Sequence, residues 1–504
     1  MRAHGAAAIA WSRIVLRIIA FLFALGAVLI SLDRLEAARS GIEISNMAAG
    51  TTPVRQYTLP ASDGPLVVVA HGFAGSLQLM EAYALTLARA GYRVFSFDFE
   101  GHGRNPVPMS GDVNKIEGTT QRLIDETRRV MDFALSETGW EGRVTLLGHS
   151  MATDVIARTA IADDRVGSIV GISMFSQAVT AEAPADLLMI TGDWEPMLRE
   201  AAIKAMALVD ADAGEGDTAT GDGVIRRAVV APNVEHVGVL YSPTGLREAV
   251  DWLNRAYERS VSPTLATTGG WIALLLSAIV AMAWSLAGLL PQQIGRRSPL
   301  GTRQLLIASA VPALVAPLAA MWIEIGALPV LVADYLMVHL LIYGAVQLAL
   351  LRYFKVPFGK VGWVGLAALL IWGIGAFGLS LDRYAANFTP SGTRWLIIAV
   401  LALGTVPFML ADALTTAGGR APFWHRLVAR TTFFLSLGAA VALDFEGLFF
   451  LIIILPVILL FFIVYGLMGR WVAQHQGAMA AGLGLGLILA WSLGVTFPLF
   501  SATG

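Results

Sequence analysis

The stretch LLGHSMATD, residues 146–154, decides the fold. It closes an apolar, β-rich run, RVTLLGHS at 143–150, and passes at once into a helical run over 151–162. Ser150 stands at the change of direction, with Gly148 two residues before it and Ala152 two residues after. Gly-x-Ser-x-small is the spacing of a sharp strand-to-helix turn. The serine is held there in strained backbone geometry, and the flanking positions must be small or their side chains collide. The following helix opens with unpaired N–H groups, that of Met151 first, beside the serine hydroxyl.

Working outward, PLVVVAHGF at 65–73, YRVFSFDF at 92–99, VGSIVGIS at 166–173, DLLMITGD at 186–193 and VIRRAVVAP at 224–232 are short, β-branched runs closed by turn residues. They read as buried strands. Helical stretches lie between them at 77–90, 116–138, 195–209 and 243–257. Strand alternating with helix predicts an α/β fold, a mostly parallel sheet with helices on both faces. In such sheets chemistry collects at the carboxyl ends of the strands. The polar residues fall there: HGFAGS at 71–76, DFEGHGRN at 98–105, Asp193 in ITGDWEP and His236 in NVEHVGVLYSP. Serine, acid and histidine follow in that chain order.

With these motifs in place, residues about 50–258 resemble the α/β-hydrolase superfamily, in the style of its lipase, esterase and S33-peptidase-like members. The resemblance rests on HGF at 71–73, D-x-x-GHG at 98–103, GHSM at 148–151, GD at 192–193 and His236. It implies Ser150 as nucleophile, Asp193 as acid and His236 as base. The N–H groups of Phe73 and Met151 would form the oxyanion hole. Ala152, where glycine is usual, and Thr153 depart from the pattern; alanine is small enough to keep the turn. Glu195 is the second choice of acid, and Glu235 a decoy or substrate contact. His71, His102 and His149 are expected to pack and hydrogen-bond near the site rather than react. No cofactor or metal is called for: HExxH, Walker and dinucleotide fingerprints are absent from the sequence.

The rest of the chain is of another kind. Hydrophobic residues make up 56% of the 504 and charged residues only 14%, against about 25% charged in a soluble domain. A net charge of −2 gives no reason to expect nucleic acid as a partner, and with no cysteine there are no disulfides or cysteine–metal sites. One apolar run covers 14–31; eight more cover 271–290, 304–323, 328–350, 361–381, 395–415, 429–444, 447–468 and 478–499. Most have the length that spans a bilayer. Arg2, Arg13 and Arg17 precede or open the first run. Further basic groups follow the second (Arg296, Arg297, Arg303), fourth (Arg352, Lys355, Lys360), sixth (Arg420, Arg426, Arg430) and eighth (Arg470). With nine spans all of these fall on one side, so that side is read as the cytoplasm. The hydrolase-like region then lies outside it, in a cell membrane, bacterial inner membrane by preference. The first run is long for a cleaved signal and reads as a retained anchor.

The expected organisation is therefore a cytoplasmic segment 1–13, a first span 14–31, a linker 32–49 and an α/β-hydrolase domain 50–258. A linker 259–270, a membrane domain 271–499 of about eight helices and a tail 500–504 follow. Only 42 residues lie between Ser150 and Asp193, which leaves no room for a large cap there. The acidic, glycine-rich stretch 210–223 reads as a mobile loop. Among ionisable groups in or near the spans, Glu324, Asp412 and Asp444 fall near ends. Asp334 and His339 are interior, about 140° apart around a helix, and are assigned to packing or docking in preference to a proton relay. Gly482 and Gly486 fit close helix contacts. The reading is a membrane-embedded serine hydrolase of acyl esters, lipid-like ones included, with the bilayer as partner. A membrane acyltransferase with the same triad, and a transporter or lipid-handling protein with a hydrolase-like recognition domain, are the alternatives.

Overall fold

The structure is a computed structural model that describes residues 2–112, 116–293, 300–323, 325–326, 328–330 and 332–501, with side chains from residue 11 onward. Glu324, Arg296 and Arg297 lie outside the described residues. The chain forms two compact units. One holds Ser31–Ala273, Asp382–Asn387 and Thr496–Gly504; the other holds the remaining segments.

The first unit is built on nine strands: β1 Glu43–Ala49, β2 Thr52–Thr58, β3 Leu66–Ala70, β4 Arg93–Phe97, β5 Val144–His149, β6 Val166–Ile172, β7 Asp186–Gly192, β8 Thr218–Gly221 and β9 Val224–Ala231. Their order is β1-β2-β4-β3-β5-β6-β7-β9-β8. The six central strands, from β4 to β9, run parallel. A hairpin closes each edge. The alternation expected of a sheet covered on both faces is visible in β3. Val67 and Val69 join a core with Tyr83, Leu85, Leu246 and Leu253 from the helices Glu81–Arg89 and Pro243–Ala256. Helices Gln121–Thr138, Met151–Ala162 and Pro196–Ala207 complete the helical cover. Each buried Leu or Val contributes about 1.5–3 kcal/mol relative to exposure.

Three features depart from the sequence expectation. The sheet begins at Glu43, inside the stretch read as linker, because Gly50 (φ 64°) turns the chain into a β1–β2 hairpin. Residues 210–223 are not simply a mobile loop. Asp222 (φ 48°) and Gly223 (φ 80°) make the two-residue turn of the β8–β9 hairpin, a turn that needs positive φ at both positions. Finally, residues far along the chain are built into this unit. Arg104 donates to Asp382 Oδ2 at 2.6 Å and to Asn387 Oδ1 at 3.2 Å, and Asn387 N–H donates to Ser76 Oγ at 3.0 Å. Leu499 exchanges backbone hydrogen bonds of 2.8 Å with Gly101 and Met109.

In the second unit helices dominate. Across the described residues of the chain nine helices are long and apolar enough to cross a membrane, the first over Trp11–Arg39 and the last over Ala478–Thr496. The first runs past residue 31 to Arg39, through part of the expected linker. Glycine sets the closest approaches. A Cβ on Gly482 would lie 2.7 Å from Leu410 Cα, one on Gly486 2.6 Å from Val406 Cα, and one on Gly404 2.3 Å from Met337 O. The helix Arg394–Thr415 is thereby gripped on two sides, as small residues permit. His339 is buried between Tyr335 OH (3.3 Å) and Ser436 Oγ (3.1 Å), whereas Asp334 accepts the Leu328 N–H at 3.1 Å. The two do not meet.

Candidate active site

Ser150 sits between β5 and the helix Met151–Ala162 at φ 52°, ψ −118°. A non-glycine residue held there carries strain of order 1–3 kcal/mol. Its neighbours hold it in place. The Ser150 N–H donates to Ile172 O (2.9 Å) at the end of β6, and its carbonyl accepts the Thr153 N–H (2.8 Å) and hydroxyl (2.7 Å). Thr153, a departure from the family pattern, thus clamps the turn. A Cβ on Gly148 would lie 3.1 Å from the Ala152 Cβ and 3.1 Å from Ile156 Cδ1, which is why both flanking positions are small.

The Ser150 hydroxyl lies 2.9 Å from His236 Nε2, and His236 Nδ1 lies 2.5 Å from Glu195 Oε1. Here the sequence reading is corrected: Asp193 does not face the histidine. The chain turns between Gly192 and Glu195, with Glu195 N–H donating to Gly192 O at 3.1 Å. This sends Asp193 outward, where its carboxylate takes Arg199 at 3.0 Å and is 42% exposed. Glu195 turns inward and is 7% exposed. Its Oε2 accepts the Ser173 hydroxyl (2.8 Å) and the Gly192 N–H (2.6 Å). A Cβ on Gly192 would come within 3.1 Å of that oxygen. Burial raises the Glu195 pKa, but the hydrogen bonds from His236, Gly192 and Ser173 outweigh it and hold the carboxyl below the usual range. Ser173 was missed in the sequence; its hydroxyl at the carboxyl end of β6 was the available signal.

Other histidines position the site. His149 Nε2–H donates to the His236 carbonyl at 2.9 Å. Burial pushes the His149 pKa down to about 3, so the ring stays neutral and fixes the backbone that carries His236. His71 Nδ1–H donates to Gly72 O (2.7 Å) and its Nε2 accepts the Phe99 N–H (3.1 Å). Glu235 accepts the N–H groups of Val237 (2.6 Å) and Gly238 (2.8 Å) and caps its own turn.

The loop 71–76 approaches Ser150 as closely as glycine allows: a Cβ on Gly72 would lie 3.0 Å from the Ser150 Cβ. Phe73 follows Gly72, and Met151 follows Ser150, so the two expected oxyanion donors adjoin the nucleophile from two loops. The GHG loop is braced by Asp98, whose carboxylate accepts the Leu77 (2.8 Å) and Arg104 (2.9 Å) N–H groups. Gly103 (φ 50°) makes room for it, since a Cβ there would lie 2.2 Å from Asp98 Cγ. Close in sequence to the site residues are exposed apolar side chains: Phe175 two residues after Ser173, Trp194 and Met197 on either side of Glu195, and Val237 after His236. Among the described residues no group of three or more His, Cys, Asp or Glu side chains is arranged to hold a metal.

The family comparison agrees with this architecture. The model of the α/β-hydrolase fold family matches residues 65–212. No curated protein sequence matches. Similar solved structures include a CIB-like hydrolase from Thermoplasma acidophilum, 16% identical, covering 42% of this chain and 98% of its own, with a TM-score of 0.33. A bacterial membrane phospholipase A is 14% identical, covering 51% and 99%, with a TM-score of 0.33. The thioesterase domain of the curacin biosynthetic pathway is 12% identical, covering 42% and 98%, with a TM-score of 0.30. By family match, sheet order and strand-to-helix turn, the strand-bearing unit of this chain is a member of the α/β-hydrolase superfamily.

Proposed function

We propose that the chain is a membrane-embedded serine hydrolase that cleaves acyl esters with Ser150, His236 and Glu195 as its triad. The observation that carries this reading is the unbroken relay from the strained Ser150 through His236 to the buried Glu195, with contacts of 2.9 and 2.5 Å. In the reaction His236 Nε2 takes the hydroxyl proton as Ser150 Oγ attacks the ester carbonyl. The N–H groups of Phe73 and Met151 receive the oxyanion. Glu195 stabilises the imidazolium and keeps the Nδ1–H tautomer. His236 then protonates the leaving alcohol, and water, activated by the same imidazole, releases the acid. No step requires a metal or cofactor. The exposed apolar Phe175, Trp194, Met197 and Val237, close in sequence to the triad and Ser173, favour a substrate with a hydrocarbon chain, a lipid-like ester. A fluorophosphonate probe tests the nucleophile: the adduct is expected on the peptide containing Ser150 and nowhere else. Failure of the wild-type protein to label would overturn the assignment.

The same reading places the hydrolase unit on the extracytoplasmic side, supported by the arginines and lysines that follow alternate apolar runs. Alkaline phosphatase inserted at the exposed Asp212 is expected to be active in intact bacterial cells. Activity there of a reporter that works only in the cytoplasm would reverse the topology.

A further inference from the structure

A cavity of about 500 Å³ in the helical unit is lined by Arg426, Arg430 and Arg470, with Asp412 the one acidic residue in its wall. We propose that it binds an anionic amphiphile, a phosphate-bearing head group with an acyl chain. Arg430 reaches Asp412 only at 3.5 Å, which leaves the wall with an excess of two positive charges over that pair. The Nε atoms of all three arginines are buried with no hydrogen-bond partner among the described residues. A guanidinium has five donors in a fixed fork suited to phosphate oxygens, and these three side chains are half-buried, with their Nε atoms shielded from solvent.

The surroundings sharpen the ligand's chemistry. Arg426 closes the first turn of the helix Phe423–Leu443, and Arg430 stands one turn further in. That end already favours an anion and disfavours cations of its own. Glycines give the heads space. A Cβ on Gly419 would strike Arg470 Cγ at 2.5 Å, and one on Gly466 would lie 3.7 Å from both terminal nitrogens of Arg430. Apart from Thr416 and Thr431 the remaining side chains are hydrocarbon, among them Phe434, Leu459, Phe462, Ile463, Leu467 and Leu485. A bare anion would leave that wall unused, whereas an acyl chain would lie along it. This site is independent of the triad and of its assignment.

The full chain in dodecyl maltoside tests the proposal, with binding followed by native mass spectrometry and by thermal shift. Phosphatidylglycerol is expected to bind at least tenfold more tightly than phosphatidylcholine and to raise the melting temperature. Arg426→Gln and Arg470→Gln should each lower its affinity about tenfold, the scale of one lost hydrogen bond to a charged group. Gly466→Leu keeps every arginine but fills the cavity, and should lose the same lipid. Equal binding of the two lipids, or a preference that survives the arginine variants and Gly466→Leu alike, overturns the site. Inorganic phosphate stabilising as much as phosphatidylglycerol at matched ionic strength overturns the lipid assignment.

Discussion

Glu195→Gln is expected to lower turnover of a short p-nitrophenyl ester by about 10⁴, the scale of the loss when a serine protease's aspartate becomes asparagine. Glutamine keeps the length of the side chain but offers an amide where His236 Nδ1–H needs an anion, so the tautomer and the imidazolium both lose support. Asp193→Asn is expected to leave turnover within about fivefold, since it weakens only a partly exposed ion pair with Arg199. A crippled Asp193→Asn beside an active Glu195→Gln would restore the acid that the sequence suggested. The two variants should also differ in acid stability. Because the folded Glu195 pKa is lowered, its stabilisation is present above the unfolded carboxylate pKa, about 4.3. It is lost as pH falls through the lower folded value. The stability gap between wild type and Glu195→Gln should therefore close on acidification, as read by chemical denaturation at successive pH values.

Ser150→Ala is expected to cost about 10⁶ in kcat, the scale seen when the nucleophile of a serine protease is removed. Alanine keeps the Cβ and with it the strain at φ 52°, so the melting temperature should move little. Ser150→Gly should be equally inactive yet more stable by about 1 kcal/mol, the relieved strain less glycine's entropy in the unfolded chain. Equal stability of the two variants would mean that the turn is not strained, and undiminished activity in either would remove Ser150 from the chemistry.

Much of this architecture was legible because it depends on local patterns. Gly148, Ser150 and Ala152 specify a turn by size alone, and short continuous β-branched runs closed by turn residues mark the central strands. The carboxylate that meets His236 was not legible to the residue. Asp193 and Glu195 both follow β7 within three positions, and which one faces His236 depends on the turn at Gly192 and on the hydroxyl of Ser173, brought from another strand. The hairpin at Asp222–Gly223 was legible in principle, but a run of acidic and glycine residues concealed it. The contributions of Asp382, Asn387 and Leu499 were not legible at all, since no local pattern links residues hundreds of positions apart.

Those remote segments impose an order of events on biosynthesis. When Ala273 has been made, Ser76 and Arg104 still await Asn387 and Asp382, and Gly101 and Met109 still await Leu499. At about 5–20 residues per second, the ribosome needs roughly 5–25 s more to reach Asp382 and Asn387 and roughly 10–45 s to reach Leu499. During that interval the elbow, histidine and glutamate exist but the loops beside them lack their last supports. The strand-bearing unit thus gains its last hydrogen bonds only after the apolar helices have been synthesised, and a chain arrested midway lacks them.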